Sequence, residues 1–289
     1  MNANDYVLTL ACQDTKGIVY SVSGLLYQAG CNILDSQQYG DPATGLFFMR
    51  VHFSAPPHLD DADKLGLLFA DLRARFAMRA DIHAVARRTR VLIAVSRQAH
   101  CLNDLLFRWR AGQLHMDVVG VVSNHQDCAS LASHYQVPFH HAPLPSGADA
   151  ATKRAQELRI EAIMREHGVE LLVLARYMQI LSREFCAALD GRAINIHHSF
   201  LPSFKGARPY AQAHERGVKL IGATAHYVTA DLDEGPIIEQ DVERVDHGLD
   251  VDALTAVGQD VENQVLARAV RWHVEHRILM NGHKTVVFK

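Results

Sequence analysis

Residues 91–95 read VLIAV, an apolar run broken by no polar residue, and Val118–Val122 (VVGVV) and Leu171–Leu174 (LLVL) repeat the type. A strand with one face in water alternates apolar and polar, so runs like these belong to strands buried on both faces. Helical patterns lie between them. Leu102, Leu105, Leu106 and Trp109 fall on one helical side, and so do Ala155, Leu158, Ala162 and Ile163 within Thr152–His167, a segment that Gly168 ends. Strands alternating with helices predict an α/β domain with a doubly wound, mostly parallel, Rossmann-like sheet. Its ligands bind beyond the carboxyl ends of the strands.

Ala193–Ile196 is a further strand of this sheet. The run from Ala193 to Tyr210, AINIHHSFLPSFKGARPY, then brings two prolines, two serines and a glycine, which cannot continue it. A strand therefore ends in a loop carrying imidazoles. Ala223–Val228 leads into a turn, VTADLDEGPII, in which Asp233 precedes Gly235 and Pro236. Leu254–Trp272 has the stripe of a long amphipathic helix, and Thr285–Phe288 closes the chain as a strand.

The first 86 residues have a different rhythm. Tyr6–Cys12 reads as a strand, Ile18–Ala29 as a helix stopped by Gly30, Asn32–Tyr39 and Leu46–Phe53 as a hairpin across DPATG, Asp60–Phe76 as a second helix and Asp81–Ala86 as a last strand. The order βαββαβ is ferredoxin-like. Arg87, Arg88 and Arg90 mark a solvated linker, giving domains 1–86 and 91–289.

With 289 residues, 48% of them hydrophobic, each domain can bury its own core. A net charge of −3 offers no bulk attraction to nucleic acid or anionic membrane. Five cysteines at irregular spacing contain no C-x-x-C pair and read as reduced thiols. The opening MNANDYVLTLACQD lacks the basic start of a signal peptide, and no run is long enough to span a membrane, so a cytoplasmic protein is expected.

Asn195, His197 and Asp233 are the candidate catalytic residues. An amide donor, an imidazole and a carboxylate suit attack by water on a neutral carbonyl, because the oxyanion needs donors and the water needs a base. His198 and Glu234 beside them allow a zinc site to be drawn. Successive residues of an extended loop point apart, however, and no second histidine lies at helical spacing, so no metal is expected.

The segments N-I-H-x-S-x-L-P, G-A-R-P and L-D-x-G-P-I-I resemble the formyltransferase family that uses 10-formyltetrahydrofolate, and over essentially the whole chain the likeness is to its hydrolytic branch. The resemblance implies a folate substrate and no cofactor, with backbone groups of Met178, Gln179, Ile180 and Leu181, together with Val228, at the pterin. Gln179 departs from the arginine that many members carry. The loop Ser96–Asn103 has no glycine to bring backbone N–H groups to a phosphate, which disfavours formyl transfer to a sugar-phosphate amine. Transfer to a charged tRNA would need a basic module that the chain lacks, and a folate sensor without activity would not need the catalytic trio. The first domain resembles an ACT regulatory domain through Asp14 and Gly17 in its first loop and Asn32 at the start of its second strand. That likeness implies edge-to-edge pairing into a homo-oligomer and an amino-acid effector held near those three residues.

Overall fold

The computed structural model describes residues 4–199 and 209–289. The G-A-R part of the loop motif and its first proline, within residues 200–208, lie outside the described residues. The chain forms two compact units, one of the residues up to Arg88 together with Glu275–Lys289, the other Thr89–Val274.

The first unit runs β1 (Asp5–Gln13), α1 (Ile18–Gln28), β2 (Asn32–Asp41), β3 (Leu46–Ser54), α2 (Ala62–Leu68), α3 (Ala70–Phe76) and β4 (Arg79–Ala84). Its antiparallel sheet has the order β2-β3-β1-β4, the ferredoxin-like arrangement expected. Tyr6, Leu8, Leu10, Met49, Val51 and Phe53 cover one face and pack on Ile18, Val22, Leu26, Leu65 and Phe69 of the helices. The helix expected over Asp60–Phe76 is two. Gly66 directs its carbonyl to Arg73 Nη1 (3.1 Å), and Phe69, fully buried, ends α2 and begins α3.

The second unit contains β5 (Thr89–Val95), α4 (His100–Arg110), β6 (Met116–Ser123), α5 (Ala129–His134), β7 (Phe139–His141), α6 (Ala150–Glu166), β8 (Leu171–Leu174), α7 (Arg183–Ala188), β9 (Ala193–His197), α8 (Pro209–Glu215), β10 (Leu220–Tyr227), β11 (Ile237–Arg244) and α9 (Val251–Val274). Its seven-stranded sheet has the order β11-β10-β9-β8-β5-β6-β7, parallel from β9 to β7, with β10 and β11 antiparallel at one side. The chain leaves β5 toward β7 and then returns to build β8 and β9 on the other flank. The strand order therefore reverses between β5 and β8, where the carboxyl ends leave a crevice. Among the described residues, no helix is long and apolar enough to cross a membrane.

The boundary read as 91–289 shifts at its far end. After α9, the strands β12 (Ile278–Asn281) and β13 (Lys284–Val287) pair with each other, and Leu279 and Phe288 pack on Phe48, on the sheet face of the first unit that its helices leave bare. Arg50 shares that face. It is buried, donates to the carbonyls of His276 and Glu275 (both 3.1 Å), and has its pKa drawn down to about 10 by burial and by the neighbouring Arg277. This explains why β3, LFFMRVHFS, is buried on both faces. The terminal strand expected over Thr285–Phe288 is one arm of this hairpin, too short for its periodicity to reveal a partner.

Phe48→Ala is expected to destabilise the first unit by about 3 to 5 kcal/mol, the usual cost of emptying a fully buried phenylalanine site. Urea denaturation checks it. A loss below about 1 kcal/mol would mean that the hairpin does not seal the sheet.

Candidate active site

Asn195 and His197 alternate with Ile194 and Ile196 along β9, so the two polar side chains share one face while the isoleucines enter the core. His226 of β10 stands directly opposite Asn195 in the register. Since β10 is antiparallel, its carboxyl end lies beside the amino end of β9, where Val228 N donates to Ala193 O (2.9 Å). The loop from Val228 to Pro236 must fold back to reach the carboxyl end of β9. Tyr227 N closes it on Pro236 O (2.9 Å). Two backbone features make the fold-back feasible. Asp233 adopts a left-handed φ of 57°, which aspartate tolerates better than most residues. Gly235 packs so tightly that a Cβ there would overlap the Tyr227 carbonyl oxygen.

The loop delivers the Asp233 carboxylate onto both strands. Oδ2 lies 3.2 Å from His197 Nδ1, and Oδ1 lies 3.5 Å from Asn195 Nδ2 and 3.6 Å from His226 Nε2. Burial by itself would raise the pKa of Asp233, but the hydrogen bond from His197 and the neighbouring His226 overcome it and hold the group well below the usual carboxylate range. The orientation of Asn195 follows from its neighbours. His226 Nδ1 donates to the Tyr227 carbonyl (2.8 Å), so in the neutral ring Nε2 accepts, and the Asn195 group 3.2 Å from it must be the NH2. With Nδ1–H of His197 directed at Asp233, His197 Nε2 is left without a partner.

These residues form the floor of a cavity of about 240 Å3. Met178, Gln179, Ile180, Leu181 and Val228 line the same cavity, so every catalytic and folate position read from the sequence comes together there. Met178 and Ile180 are largely exposed at its wall. Their segment belongs to no helix or strand and is pinned at both ends. Met178 N donates to Ser96 Oγ (3.0 Å), and the buried carboxylate of Glu157 accepts from Ser182 N (2.6 Å) and Ser182 Oγ (2.5 Å). His140 and His141 form β7 at the far side of the sheet and do not line the cavity.

Nδ1 of His197 faces Asp233 and Nδ1 of His198 faces Arg176, so the two rings commit these nitrogens to different partners. Among the described residues, the group whose ligand atoms approach closely enough for a metal is His100, Cys101 and Glu262. Arg176 already stands 3.4 Å from that carboxylate, and burial pushes the Cys101 thiol well away from ionisation.

The formyl transferase family model matches residues 89–270. A formyltetrahydrofolate deformylase of Corynebacterium sp. (strain P-1) is 47% identical over 98% of this chain and 98% of its own. The chain belongs to the formyltetrahydrofolate deformylase family. The crystal structure of a formyltetrahydrofolate deformylase from Burkholderia mallei ATCC 23344 is similar with a TM-score of 0.92 and 52% identity, across 99% of this chain and 100% of that one. Glycinamide ribonucleotide transformylase 1 from Symbiobacterium toebii is more distant, with a TM-score of 0.64 and 30% identity over 70% of this chain and 95% of its own.

Of the residues assigned to a regulatory site, Asp14 and Gly17 share the β1–α1 loop, with Gly17 at φ 94° before α1, while Asn32 begins β2. Asp14 touches Gly40 near the end of β2, and Asn32 is at its start, roughly 27 Å away at about 3.4 Å per residue. One copy of the chain does not assemble the three. Periodicity reports the face of a strand and not which end of a sheet a loop meets.

Sequence reading missed His226, Arg176, Glu157 and Glu262. His226 offered the one usable signal, an imidazole inside the largely apolar run of β10.

Gly235→Ala is expected to lower turnover on the order of 10²-fold, because displacing a catalytic group by about 1 Å has that effect. Circular dichroism should show the fold retained. Full turnover in this variant would dissociate the position of Asp233 from the tight packing of its turn.

Proposed function

We infer that this chain hydrolyses 10-formyltetrahydrofolate to tetrahydrofolate and formate. The observation that carries this reading is the convergence of Asn195, His197 and Asp233 on one cavity floor, in a chain of the deformylase family. The formyl carbon is an amide carbon, and attack by water forms a C–O bond while the carbonyl oxygen takes up charge. Asn195 Nδ2 can exchange its long contact to Asp233 for that oxygen. His197, with Nδ1–H on Asp233, donates from Nε2 as the imidazolium paired with the carboxylate. Asp233 takes the proton of the attacking water and returns it to the folate nitrogen as the C–N bond breaks, which balances the reaction. No step calls on a metal or a cofactor. The alternative, formyl transfer to a sugar-phosphate amine, finds little support in the glycine-free segment Ser96–Ala99 between β5 and α4.

Asp233→Asn preserves the shape and the left-handed turn and removes the base. It is expected to keep folate affinity and lose about 10² to 10⁴ in kcat, measured as formate released without an acceptor. Asn195→Ala is expected to lose on the order of 10² to 10³. An Asp233→Asn enzyme with near-normal turnover would remove Asp233 from the role of base. Stability gives a second readout. The folded pKa of Asp233 is depressed, so its contribution is present above an unfolded pKa of about 3.9 and disappears as pH falls toward the folded value. Wild type and Asp233→Asn should therefore converge in stability in strong acid.

We further propose that the chain is a cytoplasmic homo-oligomer whose formate feeds purine synthesis, and that the first unit is an ACT-like module that pairs copies and takes an amino acid. The support is the edge strand β2, exposed along most of its length with Ile33, Leu34 and Tyr39 uncovered. Antiparallel pairing of two such edges about a two-fold axis would set Asn32 of one copy near Asp14 of the other. Sedimentation of the full chain is expected to show an even-numbered oligomer that Leu34→Lys dissociates. A monomeric wild type would overturn the pairing.

A further inference from the structure

The mechanism leaves unused a chain of buried polar groups behind the cavity. Glu262 of α9 is fully buried, and a carboxylate held there unpaired would be strongly unfavourable. It is satisfied by three partners, since Oε2 accepts from His100 Nε2 (2.8 Å) and lies 3.4 Å from Arg176 Nε, and Oε1 accepts from Tyr210 OH (2.6 Å). Gly258, one turn earlier on α9, makes room for Tyr210, whose ring a Cβ there would overlap. Buried ion pairs contribute little net stability, because desolvation offsets their attraction. Stability alone is therefore a weak reason for this one.

Arg176 links the pair to the cavity. It follows β8 with a left-handed φ of 63°, donates from Nε to Gln98 Oε1 (2.9 Å), and brings Nη1 to 2.5 Å from His198 Nδ1. A guanidinium has donors only, so His198 Nδ1 must accept and carries no hydrogen. The hydrogen of the neutral ring is then on Nε2. Burial, followed by the positive charge of Arg176 and the neighbouring His197, draws the His198 pKa down to about 4 and keeps the ring neutral. Its Nε2 is buried without a partner, its ring lines the cavity, and it stacks beside His197 with centroids 5.0 Å apart.

We propose that His198 is a further catalytic residue that donates from Nε2–H to the formyl oxygen as that oxygen gains charge, and that Arg176 and Glu262 are the positioning residues that hold it in this tautomer. The formyl oxygen fits this donor better than the attacking water does, since the water must keep its lone pair free for carbon. The proposal rests on the hydrolytic reading of Asn195, His197 and Asp233. It differs from that reading in what fixes the donor, which is a neutral ring held by a guanidinium and not an imidazolium held by a carboxylate.

Two measurements separate the proposal from the reading beneath it. Nitrogen-15 NMR of histidine-labelled full-length protein at neutral pH reads the tautomer without turnover. His198 is expected as neutral Nε2–H, with Arg176→Met releasing it into a mixture. A wild-type His198 that carries hydrogen on Nδ1 overturns the proposal whether or not the enzyme is active. In formate release, His198→Ala is expected to lose about 10²-fold in kcat with KM within a few-fold, as for removal of one oxyanion donor. His198→Gln, whose amide N–H reaches the Nε2 position, should recover more than His198→Asn, which reaches only Nδ1. Glu262→Gln should lower kcat and disturb the His198 signals while circular dichroism stays native. If it does not fold, Arg176→Met carries the same test. Unchanged kcat in His198→Ala overturns the proposal, whereas a wild type that releases no formate overturns the hydrolytic reading and leaves the tautomer result standing.

Discussion

The carboxylate of Asp233 is the group on which the site closes. It is largely buried and therefore depends on donors, and Asn195 and His197 of β9 supply them, with His226 of β10 orienting the amide. The dependence runs both ways. Without the carboxylate, the Asn195 amide and His197 Nδ1 would lose their common acceptor in a low-dielectric pocket. Its position explains the left-handed backbone at Asp233, the glycine pressed on Tyr227 O, and the loop that doubles back along β9. The His197 hydrogen bond that helps to keep it ionised is the same contact that orients that ring toward the cavity.

The convergence of the candidate trio and the fold class were legible because each has a local signature. Continuous apolar runs announce buried parallel strands, and a strand end followed by Pro, Ser and Gly announces a loop. Asn195 and His197 stand at such an end. The supporting groups have no comparable signature. Glu262 sits beside Val261 on α9, where the apolar stripe makes it read as a solvated position, yet it is as buried as the valines. Periodicity assigns a face and cannot tell that Tyr210, His100 and Arg176 arrive from three other segments to meet a carboxylate there. Glu157, which pins the segment after β8, was hidden on α6 in the same way.

The C-terminal hairpin illustrates a related limit. Phe48 and Phe47 are neighbours in β3, and either could be read as the core side of a one-faced sheet. Only the return of Leu279 and Phe288 makes both sides core. A short terminal strand carries too few residues to show which unit it covers, and a boundary drawn from linker composition at Arg87–Arg90 naturally places everything after it in one domain.

The sheet of the second unit also accounts for how strained and charged groups are tolerated so close together. Arg176 and Asp233 both hold left-handed conformations that cost of order 1 kcal/mol or more each in a non-glycine residue. Arg176 lies two residues beyond β8, and Asp233 lies in the loop that leaves β10, both strands whose own residues are almost wholly buried. The strands fix the loop ends so firmly that relaxing either dihedral would require moving core backbone, a larger penalty than the strain relieved. Rigidity built from Val, Leu, Ile and Ala in the strands is therefore what allows polar groups at their ends to be held in orientations they would not adopt alone, with hydrogen-bond donors already turned toward the cavity before any substrate enters.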